Sequence, residues 1–304
     1  MLSILIPAYN YDINRLVHDL HEQASGLQID FEIIVMEDGS ERFVEQNQKI
    51  TEKSSCKHIM LEKNIGRSAI RNKLADEAQY DFLLFLDCDV LPYSSDFLYK
   101  YLSFCKEPCV VLGGRVYDME NTDSQYSLMR KYGVARERNN LDNIKKKHIN
   151  PVFTSPNFCI QKSIFQKIRF DESIVGYGHE DTVFGLKLID LDIKLVFIDN
   201  PVVHIGLDRN IEFIKKTNTS VLNLYKLYVS GLYPSITNNS KLLQYYCFAK
   251  KNHLAPLLAG NYKLLKNILI KNLTSKSPSL FLYDIYKLLL LCRYSVDTDK
   301  LADK

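Results

Sequence analysis

The chain has 304 residues, enough for one large domain or for one domain with an appendage. With 46% hydrophobic and 25% charged residues it has the composition of an ordinary soluble globular protein, and no apolar run approaches the roughly 20 residues that a membrane span needs. The net charge of +3 hides an asymmetry, because residues 1–204 hold 24 Lys and Arg against 30 Asp and Glu while residues 205–304 hold 15 against 6.

Residues 1–6 are strand-like and lack the basic segment and apolar core of a signal peptide. Seven cysteines, an odd number without zinc spacing, fit free thiols in a reducing compartment. A cytoplasmic protein is therefore expected.

In chain order, Leu2-Ser3-Ile4-Leu5-Ile6 predicts a buried strand, stopped by Pro7 and opening into a loop at Ala8-Tyr9-Asn10. A helix follows, with Leu16, Leu20 and Ala24 on one face and Asp12 or Asn14 as its N-cap. Phe31 to Met36 predicts a second strand that ends in Glu37-Asp38-Gly39-Ser40, and another helical stretch leads to a short strand at 58–61. Ile70, Leu74 and Ala78, spaced four apart, predict a helix over 68–78. The apolar run Phe82-Leu83-Leu84-Phe85-Leu86 then has strand length and no polar alternation, the pattern of a strand buried on both faces in the middle of a parallel sheet. Strands alternating with helices imply right-handed crossovers and a mainly parallel α/β sheet, so the first four strands place their following loops at one edge.

Ligands of open α/β sheets bind outside the carboxyl ends of the strands. The loops at that edge hold Tyr9-Asn10, Asp38-Gly39-Ser40, Gly66-Arg67 with Arg71-Asn72, and Asp87-Cys88-Asp89. Two carboxylates one residue apart suit Mg²⁺ or Mn²⁺, which could hold a diphosphate; an isolated pair of this kind is more often a solvated turn. Together the loops offer an aromatic ring and an amide for a base, a carboxylate for a base or ribose, and a tight glycine turn, which describes a nucleotide site. Neither the P-loop nor the Gly-x-Gly-x-x-Gly fingerprint is present, so phosphates would be held by a cation and by arginine.

Ile4 to Asn10, Glu37 to Ser40, Asn64 to Asn72 and Leu86 to Asp89 resemble the successive motifs of family 2 glycosyltransferases with the GT-A fold, in order and at ordinary spacing, over roughly residues 1–210. The resemblance implies a Rossmann-like, mainly parallel sheet flanked by helices and a metal-dependent, inverting transfer from a nucleotide sugar. It implies base and ribose contacts for Pro7, Ala8, Tyr9, Asn10 and Asp38, and a contact near the ribose or diphosphate for Arg71, with Gly66 in the same loop. Asp89 matches the direct metal ligand of the Asp-x-Asp motif, and Asp87 matches its ribose or metal-water contact. Cys88 falls at the variable middle position and reads as a small core residue.

Val110-Val111-Leu112-Gly113-Gly114 predicts a further strand with a glycine turn. Residues 118–150, with Arg136, Glu137, Arg138 and Lys145-Lys146-Lys147, read as a polar excursion over the site or as a solvated loop; Thr154 to Ile160 returns the chain to the sheet. After Gly176-Tyr177-Gly178-His179, Glu180-Asp181 opens a helix with Phe184, Leu188 and Leu191 inward. Carboxylates in a first helical turn are favoured by the dipole alone. The stretch is nevertheless similar to the Gly-x-Gly-x-Glu-Asp motif of GT-A enzymes, which implies a general base: Asp181 by preference, with Glu180 binding the acceptor and the two exchangeable, and His179 as a further acceptor contact. A strand at 194–198 leads to Val202-Val203-His204-Ile205-Gly206. A lone His at a strand end is usually structural, but this one matches a His-x-Gly metal ligand, so the resemblance implies Asp87, Asp89 and His204 as the metal set. An imidazole favours Mn²⁺ over Mg²⁺.

Helices are expected at 211–230, 242–248, 262–273 and 280–293, forming a basic C-terminal region (211–304) behind a catalytic domain (1–210). Two readings stay open: attachment to an anionic membrane surface, where a lipid-linked acceptor would be met at the inner face of the cell membrane, or a basic helical cap. No nucleic-acid module is visible. The expected partners are a nucleotide-sugar donor, by resemblance UDP-linked, and a saccharide or lipid-linked acceptor of surface polysaccharide or lipopolysaccharide synthesis. The alternatives are another metal-dependent nucleotide-sugar enzyme and a non-catalytic binding protein on a degenerate scaffold.

Overall fold

Seven strands form the sheet that carries the candidate site, in the order β3-β2-β1-β4-β8-β6-β9. They are β1 (Leu2–Ala8), β2 (Phe31–Glu37), β3 (Cys56–Met60), β4 (Phe82–Leu86), β6 (Val110–Leu112), β8 (Asn157–Gln161) and β9 (Leu195–Phe197); β5 (Val90–Pro92), β7 (Arg115–Tyr117) and β10 (Val202–His204) make a second sheet ordered β5-β10-β7. The helices are α1 (Asn14–Gly26), α2 (Val44–Gln48), α3 (Arg67–Glu77), α4 (Phe97–Leu102), α5 (Ser127–Lys147), α6 (Lys162–Ile168), α7 (Glu180–Asp190), α8 (Asn210–Ser230), α9 (Ile236–Asn239), α10 (Lys241–Lys251), α11 (Ala255–Leu273) and α12 (Leu280–Ala302). This computed structural model describes residues 1–104, 109–118, 123–147 and 152–302, with the backbone alone for 139–147 and 299–302.

β4 is the central strand, pairing parallel with β1 and antiparallel with β8. β1, β2, β3 and β4 run parallel, so their carboxyl ends share one edge. The alternation of a strand sends Leu84 and Leu86 into one core, with Leu16 and Leu20 of α1, and Leu83 and Phe85 into another, with Ile70 and Leu74 of α3 and Phe184 and Leu188 of α7. Phe184 stacks on Phe170 at 4.3 Å, and Phe85 on Phe158 at 4.8 Å. Full burial of such a side chain contributes about 1.5–3 kcal/mol, so this aromatic cluster anchors α7 and fixes where its first turn begins.

The chain divides into two compact units, one of Met1–Asp118, Arg136–Val175 and Glu180–Gly206, the other of Met119–Ala135, Gly176–His179 and Leu207–Lys304. Both sheets belong to the first. The second holds α8 to α12 and also takes in segments that the sequence reading placed with the catalytic part. Within it, Asn210 at the start of α8 accepts from Leu128 N (2.9 Å) and donates to Ser124 O (2.9 Å), fastening the first turn of α5.

Several expectations need correction. Pro7 does not stop β1, which continues to Ala8; its pairing with β4 ends at Leu5↔Phe85, so beyond that point only the β2 side needs ladder donors. Neither Asp12 nor Asn14 occupies the N-cap of α1, which is Ile13; its N–H donates to Asn47 Oδ1 while Asp12 accepts from Asn14 N. From Ser127 the polar stretch is helix, not loop, as its Leu, Met, Arg and Lys content favours. Residues 119–122 and 148–150 of that stretch, and the side chains of Lys145, Lys146 and Lys147, lie outside the described residues. Leu191 is 53% exposed, because α7 ends at Asp190. α11 and α12 are longer than the sequence periodicity suggests.

Candidate active site

At the carboxyl end of β1, Tyr9 is 54% exposed and Asn10 has a left-handed φ of 52°. Asn10 is held by hydrogen bonds in both directions: its N–H donates to Ser40 Oγ (2.9 Å), and its Oδ1 accepts from Glu41 N and Arg42 N (both 2.9 Å). Ser40 donates in turn to Glu37, which is buried and also accepts from Asn47 Nδ2 (2.6 Å) and lies 3.3 Å from His58 Nε2. Burial alone would raise the Glu37 carboxyl, but these bonds from His58, Ser40 and Asn47 outweigh it and hold it below its ordinary value.

Asp38 carries both of its carboxylate oxygens onto the next loop, accepting from Ile65 N (2.7 Å) and Gly66 N (3.1 Å). Burial pushes this carboxyl up, and the two backbone bonds only partly oppose it. Gly66 has φ 90° at the N-cap of α3, a conformation that L side chains rarely adopt. The turn aims the first turn of α3 at the strand edge. Pro7 and Ala8 belong to β1 itself, Ala8 being buried.

Arg71, on α3, is 2% exposed. Its Nη2 donates to Asp87 Oδ1 at 2.6 Å, its Nη1 donates to Arg67 O at 3.2 Å and lies 4.0 Å from Glu180 Oε1, and its guanidinium sits 5.4 Å from the Phe170 ring centre. Arg67 Nη1 lies 3.5 Å from the same Glu180 oxygen. One arginine therefore joins the end of β4 to the head of α7. Glu180 is buried and its Oε2 has no hydrogen-bond partner. Asp181 is more open: its Oδ1 accepts from Thr182 N (2.7 Å), and its Oδ2 lies 3.7 Å from Arg136 of α5.

Asp89 faces His204, with Oδ2 and Nε2 3.3 Å apart. The small sheet creates this meeting, since His204 of β10 pairs with Val90 of β5 and both Ile205 N (3.0 Å) and Gly206 N (3.3 Å) donate to Asp89 O. Burial would raise Asp89, but the His204 hydrogen bond and charge, followed by Arg67 and Arg115, hold it below the usual carboxylate range. A Cβ at Gly206 would lie 2.5 Å from Asp89 Cβ and 2.8 Å from Oδ2, which gives the glycine of His-x-Gly its reason. Burial, with Asp89 and Asp87 next to it, raises the Cys88 thiol, which suits an inert core residue.

Among the described residues no group of three or more His, Cys, Asp and Glu is arranged as a metal cage. Asp87, expected in the metal set, is engaged by Arg71 instead of joining Asp89 and His204. The remaining carboxylate and imidazole, with His204 Nδ1 buried and unpartnered, still fit a divalent cation that takes its other ligands from a diphosphate and water.

In the second unit, Gly176 (φ 85°) and Gly178 (φ 95°) pack against α8, where a Cβ would meet Thr219 and Ser220. His179 also has a left-handed φ, 74°. The pairing of Glu37 with Asn47 and His58 has no signal in the sequence; β2–β3 register, which places Val35 opposite His58, is what brings His58 to Glu37, and α2 supplies Asn47.

Residues 3–169 match the family described as Glycosyl transferase family 2. The chain is 28% identical over 222 residues to the chondroitin synthase of Pasteurella multocida (strain Pm70), covering 62% of this chain and 23% of that protein, so it spans less than a quarter of that relative. Its fold is similar to that of the mannosyltransferase PcManGT from Pyrobaculum calidifontis in complex with GDP-Man and Mn2+, with a TM-score of 0.59 and 13% identity over 97% of this chain and 86% of the other. It is similar too to S. aureus TarS 1-349 in complex with UDP-GlcNAc, with a TM-score of 0.51 and 17% identity over 97% and 92%.

Proposed function

This chain belongs to glycosyl transferase family 2, and on that premise we propose that it moves a sugar from a nucleotide-sugar donor, UDP-linked, to a hydroxyl of a saccharide or lipid-linked saccharide in cell-surface polysaccharide synthesis. The observation that carries this reading is Arg71, which ties Asp87 at the central strand to Glu180 at the head of α7. A donor-binding edge and a carboxylate-bearing helix are thereby held at one place. The neighbours in complex with GDP-Man and UDP-GlcNAc support the donor class, and the likeness to a chondroitin synthase supports a saccharide acceptor.

In this proposal Tyr9, Asn10 and Asp38 receive the base and ribose, with Asn10 and Asp38 pre-ordered by the bonds described above. Asp89 and His204 would hold Mn²⁺ or Mg²⁺, which when bound neutralises charge on the departing diphosphate. Arg67 and Arg71 add fixed positive charge at the same edge. Asp181 accepts the proton of the acceptor hydroxyl as its oxygen bonds to the anomeric carbon and the nucleoside diphosphate leaves from the opposite face, inverting that carbon. An acceptor hydroxyl is a poor acid, and a placed base contributes about 10²–10⁴-fold. Asp181 suits this role better than Glu180, whose carboxylate is buried against two arginines.

Thermal unfolding of wild type and Asp89→Asn with UDP, GDP, CMP and dTDP, each with and without Mn²⁺, tests the donor site. A ligand of the native state raises its stability by mass action. A metal-dependent rise with one nucleotide, lost in the variant, is the expected result; a folded sample that responds to none of the four would sink the assignment.

A further inference from the structure

The α11 helix buries Ala255, Ala259, Leu269 and Leu273 on one side. On the opposite side Leu257, Leu264 and Ile268, seven and four residues apart, are 64%, 74% and 67% exposed. At 100° per residue these three fall within a narrow arc, so they form one apolar stripe instead of scattered surface residues. On the same helix the exposed Lys271 lies about 40° and the exposed Lys263 about 120° from that stripe, on one flank of it, whereas the exposed Lys266 lies opposite it. Between Glu212 and Asp284 the chain carries ten lysines and no carboxylate side chain.

We infer that this face of α11 seats the second unit on an anionic lipid surface, lying in the interface with the leucine and isoleucine side chains among the acyl chains and Lys271 and Lys263, on its flank, at the headgroups. Among the described residues no helix is long and apolar enough to cross a membrane, so the attachment is interfacial. The charge pattern selects the occupant. A second copy presenting the same face would set Lys271 and Lys263 against their own kind with no carboxylate on the helix to pair them. A soluble polyanion would satisfy the lysines and leave the apolar stripe in water. A bilayer with anionic headgroups takes both. The inference does not depend on the transfer chemistry, since it concerns residues of the second unit alone.

The test is co-sedimentation of the full chain with phosphatidylcholine vesicles and with vesicles containing phosphatidylglycerol, for wild type, Leu264→Asp/Ile268→Asp and Lys263→Glu/Lys271→Glu. Circular dichroism checks that each is folded, and light scattering gives the oligomeric state. Wild type is expected to bind the anionic vesicles preferentially, with partitioning reduced about tenfold or more in each double variant. Three results would overturn the inference: no binding of wild type to either vesicle, binding retained in the Leu264/Ile268 variant, or a wild-type dimer that this variant dissociates.

Discussion

The guanidinium of Arg71, almost wholly out of solvent, donates to Asp87 Oδ1 across 2.6 Å. Because its other terminal nitrogen also faces Glu180, removing it leaves Asp87 without its buried partner and Glu180 with Arg67 alone. Losing one partner of a buried ion pair typically costs about 3–5 kcal/mol, so Arg71→Ala should lower unfolding free energy by that order in chemical denaturation. Arg71→Lys keeps the charge but not the fork; it should lose less stability while kcat/KM falls about tenfold or more. Equal kinetics for Arg71→Lys and wild type would show that the geometry at Asp87 is not used.

Asp181 and Glu180 are adjacent in sequence yet sit in different surroundings, and their variants should separate accordingly. Asp181→Asn is expected to lower kcat by about 10²–10⁴-fold, with the nucleotide-induced thermal shift intact. Glu180→Gln should chiefly destabilise, by roughly 1–3 kcal/mol, since it strips a charge that buried Arg71 faces. A larger kcat loss in a fully stable Glu180→Gln would exchange the two roles.

Two glycines of the site restrict side chains for different reasons. At Gly66 nothing lies within 4 Å of an added Cβ, and only the φ of 90° resists it, so Gly66→Ala should cost roughly 1–3 kcal/mol of backbone strain. At Gly206 the obstacle is the Asp89 side chain itself, 2.5 Å from an added Cβ. Gly206→Ala should therefore reproduce Asp89→Asn in losing metal-dependent stabilisation by nucleotide, with an overpacking cost of about 1–3 kcal/mol. A metal response at wild-type strength in Gly206→Ala would mean that the carboxylate can move without consequence.

Much of the seven-stranded sheet was legible because its strands are continuous apolar runs, as at Phe82 to Leu86, and the helices beside it carry four-residue spacing, as at Ile70 and Leu74. The three-residue strands were not: nothing in Val90-Leu91-Pro92 or Val202-Val203-His204 marks them as partners, and that pairing is what brings His204 to Asp89. Motif and residue type singled out the candidate site residues, whereas their bonding was not readable. Asp38 stood out as a carboxylate for a ligand, but nothing in the sequence shows that each of its oxygens also accepts a backbone N–H, from Ile65 and Gly66. The helix over Ser127–Lys147 was missed because its polar face dominates the composition, and its fixed point, Asn210, lies far along the chain.

Glu37 gives the fold an acid-sensitive support for the Asn10 loop. Its carboxyl is lowered in the folded chain and returns to about its ordinary 4.5 on unfolding, so above that value the folded state is favoured by the ionised form. As pH falls through the unfolded value and then the lower folded one, the unfolded chain takes up the proton first and this contribution disappears. Asp38 works in the opposite sense: its carboxyl is raised from 3.8, so ionisation at neutral pH opposes folding and protonation relieves it. Replacing Glu37 by Gln removes the ionised acceptor of the Ser40, Asn47 and His58 bonds and should cost about 1–3 kcal/mol at neutral pH. The gap to wild type should narrow as the pH drops below about 4.5, measured by urea unfolding across pH 3–7 in steps of roughly half a unit. A gap that stays constant over that range would mean that the loss comes from packing alone and that the Glu37 charge plays no part in holding the loop.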